Sequence, residues 1–191
     1  MKKDIILAGV GGQGILSIAA IIGFAALEKN FFVKQAEVHG MSQRGGAVQS
    51  HLRISSKEVA SDLIPFGEAD IILSVEPMEC LRYLPYLSSE GWIITNTTPF
   101  VNIQNYPDVN ELLSKIKSYK NVITIDADEI AKRIGSQKSS NVVLLGAASR
   151  YLEIPFENLE SGIKTLFGPK GENVVNKNIT ALREGHESIL I

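Results

Sequence analysis

The 191-residue sequence holds one cysteine, Cys80. A single thiol cannot close an intrachain disulfide, and it cannot carry an iron–sulfur cluster by itself. Any redox centre that serves this chain is therefore expected on another chain or on a diffusible cofactor. An excess of charge is also lacking: 19 basic against 21 acidic residues leave a net charge of −2. No strong field draws such a chain to nucleic acid or to an anionic membrane. Long hydrophobic runs are missing as well. After Met1-Lys2-Lys3-Asp4 the apolar stretch ends at Gly11-Gly12, too short to span a bilayer, and no small-residue cleavage pattern follows it. A cytoplasmic chain is expected, in which the sequon Asn96-Thr97-Thr98 carries no glycan. Internal repeats, low-complexity tracts and linkers are absent, so residues 1–191 read as one domain.

What is present alternates between strand and helix patterns. Ile5-Ile6-Leu7-Ala8 is a continuous apolar run of the kind buried on both faces of a sheet. Ile15, Ile18, Ala19, Ile22, Ala25 and Ala26 recur at helical spacing up to Glu28, and Asn30 reads as a left-handed stop. Residues 31–38 read as a second strand. Val48, Ser50, Leu52 and Ile54 alternate with Gln49, His51 and Arg53, which predicts a strand with one wetter face, and 59–64 as its returning antiparallel partner. Residues 69–75 form another buried run. Pro77 is expected to open a helix through Leu87, bent at Pro85 and ended by Gly91, before a strand over 92–95. Asp108 can cap a helix reaching Tyr119, and Asp126 follows a strand over 122–125. Helices are expected over 127–134, 142–152, 156–167 and 174–184. The fold class is α/β: a three-layer α/β/α arrangement around a mostly parallel, doubly wound, Rossmann-like sheet that tolerates an antiparallel pair.

Gly9-Val10-Gly11-Gly12-Gln13-Gly14 stands between the first strand and the first helix. Glycines let the backbone approach a ligand closely, and the N–H groups of a helix start favour an anion. The run satisfies G-x-G-x-x-G, and Glu37 stands near the end of the second strand, where a ribose-binding acid is expected. No Lys-Ser or Lys-Thr pair follows Gly14, so this is not a triphosphate-hydrolysing loop. A second donor-rich loop comprises His39, Gly40, Met41, Ser42, Gln43, Arg44, Gly45 and Gly46. Arg44 offers a fixed fork of donors matched to phosphate or carboxylate. In a doubly wound sheet both loops are expected at the carboxyl rim, gripping one anion.

These two loops, with Ser50-His51-Leu52-Arg53, Asn141-Val142-Val143-Leu144-Leu145-Gly146, Lys177-Asn178 and Ala181-Leu182, resemble the gamma-type subunits of 2-oxoacid:ferredoxin oxidoreductases. Within them, the run from Glu37 to Gly46 is similar to the beta subunits of indolepyruvate ferredoxin oxidoreductases. The likeness extends over nearly the whole chain. It implies oxidative decarboxylation of a 2-oxoacid, an aryl pyruvate such as indolepyruvate, with thiamine diphosphate. It also implies electron transfer through iron–sulfur clusters to ferredoxin and transfer of the acyl group to coenzyme A. Thiamine and clusters are implied on a larger alpha-type partner, with no cofactor held by this chain alone and no activity without that partner. By the same resemblance, Gly9, Gly11, Gly12, Gln13 and Gly14 shape the first anion loop. Ser42, Gln43, Arg44 and Gly45 meet coenzyme A phosphate or substrate carboxylate, and Asn141 matches a family asparagine near coenzyme A. Pyruvate-specific relatives carry lysines before the Gly-Gly pair; Arg44 keeps a positive charge there and Gln43 does not.

The residues themselves leave two other functions open: an independent NAD(P)- or flavin-binding oxidoreductase using the first loop, and a structural subunit without a ligand. Asn141 reads equally well as a helix N-cap. No catalytic residue is assigned. His39 and His51 lack a third ligand, so no metal site is expected. No G-x-S-x-G elbow supports hydrolysis. Cys80, Tyr83, Tyr86 and Trp92 read as core, Asp126, Asp128 and Glu129 as an acidic helix start, and His186 as part of a mobile terminus.

Overall fold

The structure, a computed structural model, describes residues 1–39 and 45–189. Its centre is β1 (Lys2–Val10), whose side chains alternate between two cores. Ile5 and Leu7 face one side of the sheet, Ile6 and Ala8 the other, and all four are fully buried. That double burial is the physical reason for the uninterrupted apolar run. The other strands are β2 (Phe32–His39), β3 (Ala47–Ser55), β4 (Ala69–Ser74), β5 (Leu87–Asn96) and β6 (Val122–Ile125). They form one six-stranded sheet in the order β2-β3-β1-β4-β5-β6. β1, β4, β5 and β6 run parallel, whereas β3 is antiparallel to both β1 and β2.

The expected helix after the glycine loop is α1 (Ile15–Glu28), and Asn30 has the left-handed φ of 57° that stops it. α1 buries Ile15, Ile18, Ile21 and Ile22 in the core that it shares with the sheet and α6, each worth about 1.5–3 kcal/mol of transfer free energy. On the opposite face lie α2 (Pro77–Arg82) and α3 (Val109–Lys117), which enclose Ile72, Cys80, Tyr83, Ile93 and Ile116. Asp108 caps α3 as its sequence predicts, accepting from the N–H groups of Asn110 and Glu111. The chain ends in α4 (Ala127–Arg133), α5 (Ser140–Ala148), α6 (Phe156–Phe167) and α7 (Glu172–Glu187).

α5 is buried along its whole length from Asn141 to Ala148, which explains why its sequence shows no polar stripe. It lies between the sheet and α7, and the two helices touch through their backbones. A Cβ on Gly146 would stand 2.1 Å from the Leu182 carbonyl oxygen, and one on Gly185 1.9 Å from that of Val143. The three-layer α/β/α class holds, with a mixed sheet.

Several expectations are corrected. Residues 59–64 form no strand; the antiparallel partner of β3 is β2. The polar side of β3 is not wet. Residues 56–68 cover it, and Arg53 donates to both oxygens of fully buried Asp4 at 2.8 and 2.9 Å and to the carbonyls of Ser61 and Leu63. His51 accepts from Ile64 N–H at 3.0 Å, so a run of polar residues became core by pairing every polar atom. The helix after Pro77 stops at Arg82 and a short 3₁₀ turn at Leu84–Tyr86 leads straight into β5, which runs through Gly91. Gly91 sits where a Cβ would meet the Ala69 carbonyl oxygen at 2.7 Å.

Candidate functional site at the carboxyl rim of the sheet

The parallel strands end at one rim: β1 at Val10, β4 at Ser74, β5 at Asn96 and β6 at Ile125. β2 ends and β3 begins at that same rim, because His39 pairs with Val48 and Val10 with Ala47. The two glycine loops therefore emerge side by side. They are also laced together: Gly11 N–H donates to the Gly46 carbonyl at 2.8 Å and Gly45 N–H to that of Gly11 at 3.4 Å.

Within the first loop, Gln13 is a brace. Its Oε1 accepts from Val10 N–H at 2.8 Å, and its own N–H donates to the Val10 carbonyl at 3.1 Å. Gly12 and Gly14 adopt φ of 102° and 80°, a region that L side chains rarely enter. The position a Gly12 Cβ would take is open space. α1 begins directly at Gly14 with no side-chain cap and no acid in its first turn, leaving a positive dipole end toward the rim.

Asn141 is not the N-cap of its helix. It lies in the first turn of α5 and donates through Nδ2 to the Gly14 carbonyl at 3.0 Å. A Cβ on Gly14 would stand 2.4 Å from that nitrogen. The residue pair closes a sequence gap of 127 positions and fixes the first loop against α5. Of the sequence-predicted site residues, Gly9, Gly11, Gly12, Gln13, Gly14, Gly45 and Asn141 are thus brought together. Ser42, Gln43 and Arg44 lie outside the described residues.

A third rim element escaped the sequence reading. Residues 97–107 cross the ends of β4 and β5 and reach the second loop, where Asn102 Nδ2 donates to the Gly45 carbonyl at 2.6 Å. Its anchor is Glu76, fully buried at the end of β4, which accepts from Glu79 N–H at 2.8 Å, from Phe100 N–H at 3.4 Å and from the Tyr106 hydroxyl. Burial, and then the bond to Glu76, raise the Tyr106 phenol above its ordinary value of 10.0, so it remains a donor. Glu76-Pro77 after a buried strand is a cap signature that could have been noticed; nothing local marks Asn102 or Tyr106.

The acidic group next to the rim is structural. Asp126 caps α4 through Glu129 N–H, and Asp128 accepts from Asn96 Nδ2 at 2.6 Å. Cys80 is buried in the core and its thiol is pushed up to about 12, first by desolvation and then by Glu76. His186 is held rather than loose: its ring contacts Phe156, and Nδ1 lies 2.7 Å from Ser149 Oγ. Among the described residues no three His, Cys, Asp or Glu side chains converge as metal ligands, and no helix is long and apolar enough to cross a membrane. Glu37 does not take the position of a ribose-binding acid. β3 stands between β2 and β1, so the strand that carries Glu37 is not the neighbour of the strand that feeds the first loop.

Residues 4–188 match the family described as pyruvate ferredoxin/flavodoxin oxidoreductase. The chain belongs to that family. It is 36% identical to the indolepyruvate oxidoreductase subunit IorB of Archaeoglobus fulgidus, over all of this chain and 96% of that protein. It is 38% identical to the IorB subunit of Methanothermobacter thermautotrophicus, over 97% of this chain and 96% of the relative. The fold of this pyruvate oxidoreductase-family member matches the pyruvate oxidoreductase subunit PORC of Thermotoga maritima, with a TM-score of 0.75, 24% identity, and 97% and 96% of the two chains covered. It also matches a 2-oxoglutarate:ferredoxin oxidoreductase of Magnetococcus marinus with 2-oxoglutarate, coenzyme A and succinyl-CoA bound, with a TM-score of 0.76 and 22% identity. There it covers 97% of this chain but 30% of that longer one. Membership and full-length likeness to such subunits make the chain a subunit of a 2-oxoacid oxidoreductase.

Proposed function

We propose that this chain is the small subunit of a thiamine diphosphate-dependent 2-oxoacid:ferredoxin oxidoreductase in the cytoplasm. Its oxoacid is an aryl pyruvate such as indolepyruvate, and its own task is to help bind coenzyme A and to complete the active site of a larger alpha-type subunit. The overall reaction joins a 2-oxoacid, coenzyme A and two oxidised ferredoxins, and releases acyl-CoA, carbon dioxide, two reduced ferredoxins and a proton. The observation that carries the reading is the lacing of two glycine loops at one rim, beside the uncapped start of α1.

The residues fit coenzyme A and do not fit the other two groups. Open space at Gly12 and the helix start suit a phosphate on the coenzyme. Gln13 and Asn141 hold that loop in shape, since their amides are engaged with Val10 and Gly14. Ser42, Gln43 and Arg44, next to Gly45, are assigned to the phosphate or the oxoacid carboxylate. The one thiol, buried and hard to ionise, cannot ligate a cluster. Thiamine and iron–sulfur groups are accordingly assigned to the partner, where the thiamine supplies the decarboxylation chemistry when bound.

An independent nicotinamide or flavin enzyme fits less well, because the strand that would supply the ribose contact is one position too far from β1. A purely structural subunit gains support from the closure of the loops on each other, yet an open cleft remains beside the first loop. The test is reconstitution. The purified chain alone should not reduce ferredoxin with any oxoacid. Mixed with its larger partner it should give oxoacid-dependent reduction that requires coenzyme A. Activity of the larger subunit alone, at the same rate and with the same coenzyme A dependence, would overturn the proposal.

A further inference from the structure

β2 forms one edge of the sheet, and among the described residues only β3 pairs with it. This edge is long and regular. Its register with β3 runs unbroken from Phe32 to His39, without a bulge, and the strand holds neither proline nor glycine. The opposite edge, β6, has four residues. A long, straight edge presents a row of backbone N–H and C=O groups, a template for another strand unless something guards it. Charged side chains are a common guard, yet Lys34 is turned away from the edge. Its ammonium donates to the Ala60 carbonyl at 3.0 Å, over the sheet face that residues 56–68 cover. Phe32 and Val38 stand on that same face of β2, 49% and 58% exposed.

The order of residues along β2 says which strand fits it. In an antiparallel pair of identical strands, a twofold axis normal to the sheet keeps the two faces aligned, so the pairing centres on one residue. Centred on Lys34 or on Glu37, it sets like charges directly opposite each other, which is destabilising. Centred on Ala36, it sets Lys34 opposite Val38 and carries Phe32 past the end of the facing strand. Centres nearer the strand ends leave most of β2 unpaired. Centred on Gln35, Phe32 meets Val38 at both ends, Lys34 meets Ala36, Val33 meets Glu37 and Gln35 meets itself. Every residue from Phe32 to Val38 then has a counterpart, the exposed apolar side chains cover each other, and no like charges are opposed.

We propose that β2 is a docking edge for a second copy of this chain, paired antiparallel about Gln35, so that two six-stranded sheets join into one. The pairing reverses strand direction. The two carboxyl rims therefore point away from each other, and each stays open to a larger subunit. The contact is a single strand edge, smaller than permanent interfaces, so a Kd of about 10 µM is expected.

The test uses the full chain, alone and in the assembled complex, with Gln35→Lys, Gln35→Cys and Ala36→Cys. Gln35 is exposed and the only other thiol, Cys80, is buried, so the variants should fold and cross-link only at the new position; circular dichroism checks the fold. Sedimentation velocity should show a monomer–dimer equilibrium that Gln35→Lys weakens at least about tenfold, because it sets two ammonium groups opposite each other. Mild oxidation should join Gln35→Cys chains to each other. Ala36→Cys chains should stay apart, since the register holds their Cα atoms more than about 7 Å from one another. Self-cross-linking of Gln35→Cys in either preparation supports the pairing. A chain that is monomeric at about 100 µM, with no such cross-link in the complex, overturns it. A dimer indifferent to Gln35→Lys, or cross-linked through Ala36→Cys instead, also overturns it. Loss of the larger subunit on Gln35→Lys would overturn it too, by giving the edge to that subunit.

Discussion

Glycine does two different jobs in this chain. In the helical layer, Gly146 and Gly185 stand against the backbone of the facing helix, and Gly162 against the Ile21 carbonyl, with no room for even one carbon. At the rim, Gly12 and Gly45 have nothing near the position of a Cβ, and their φ values of 102° and 77° set them apart. The first group lets α5 approach α7 and α6 approach α1 closely; the second shapes two loops and leaves their surface clear. The comparison teaches that the crowded glycines hold helices together, whereas Gly12 and Gly45 shape their loops and leave the loop surface clear.

The largest effect is expected from Gly185→Val. Its Cβ would lie 1.9 Å from the Val143 carbonyl oxygen, and overpacking of this severity should cost about 3 kcal/mol or more. Urea unfolding followed by circular dichroism should show a much lower midpoint or no folded baseline. A stability near wild type would erase the crowded half of the comparison. Gly12→Ala should cost less, about 1–2 kcal/mol for the left-handed backbone alone, because the new methyl meets nothing. Its coenzyme A KM in the reconstituted complex should rise by more than this stability loss can explain. Unchanged KM would make Gly12 merely a turn residue.

The smallest effect is a pH dependence of the closed layer. His186 sits beside Gly185, and burial, then Arg150, lower its pKa from the ordinary 6.5. The folded chain therefore binds fewer protons than the unfolded chain below that value. Stability is complete above pH 6.5 and falls as pH drops through 6.5 toward the lowered value. His186→Gln should flatten the decline in urea midpoint between neutral and mildly acidic buffer. His51, lowered chiefly by burial as well, should keep part of the slope. A decline as steep in the variant as in wild type would assign the acid sensitivity elsewhere.

What the sequence made legible follows the same division. α1, β6 and α6 match their expected positions nearly residue for residue, and Asn30 stops α1 as read, because those signals are local. That the two loops share a rim was expected from a doubly wound sheet, although it is the antiparallel β2–β3 pair that brings the second loop there. The missed features are nonlocal. The Arg53–Asp4 pair joins positions 49 apart and turns an alternating polar strand into core. Asn141 read equally as a coenzyme contact or as a helix cap; neither reading could show its bond to Gly14, which is 127 positions away. Gly91 read as a helix end, although the local composition could not show that β4 passes too close for any side chain.

Hydrogen exchange on the reconstituted complex, with and without coenzyme A, tests the shared cradle most directly. Binding should slow exchange at residues 11–18 and at 45–48 together, because the two loops are bonded to each other and hold one ligand. Protection confined to one loop, or absent from both while the enzyme turns over, would contradict a common coenzyme site at this rim.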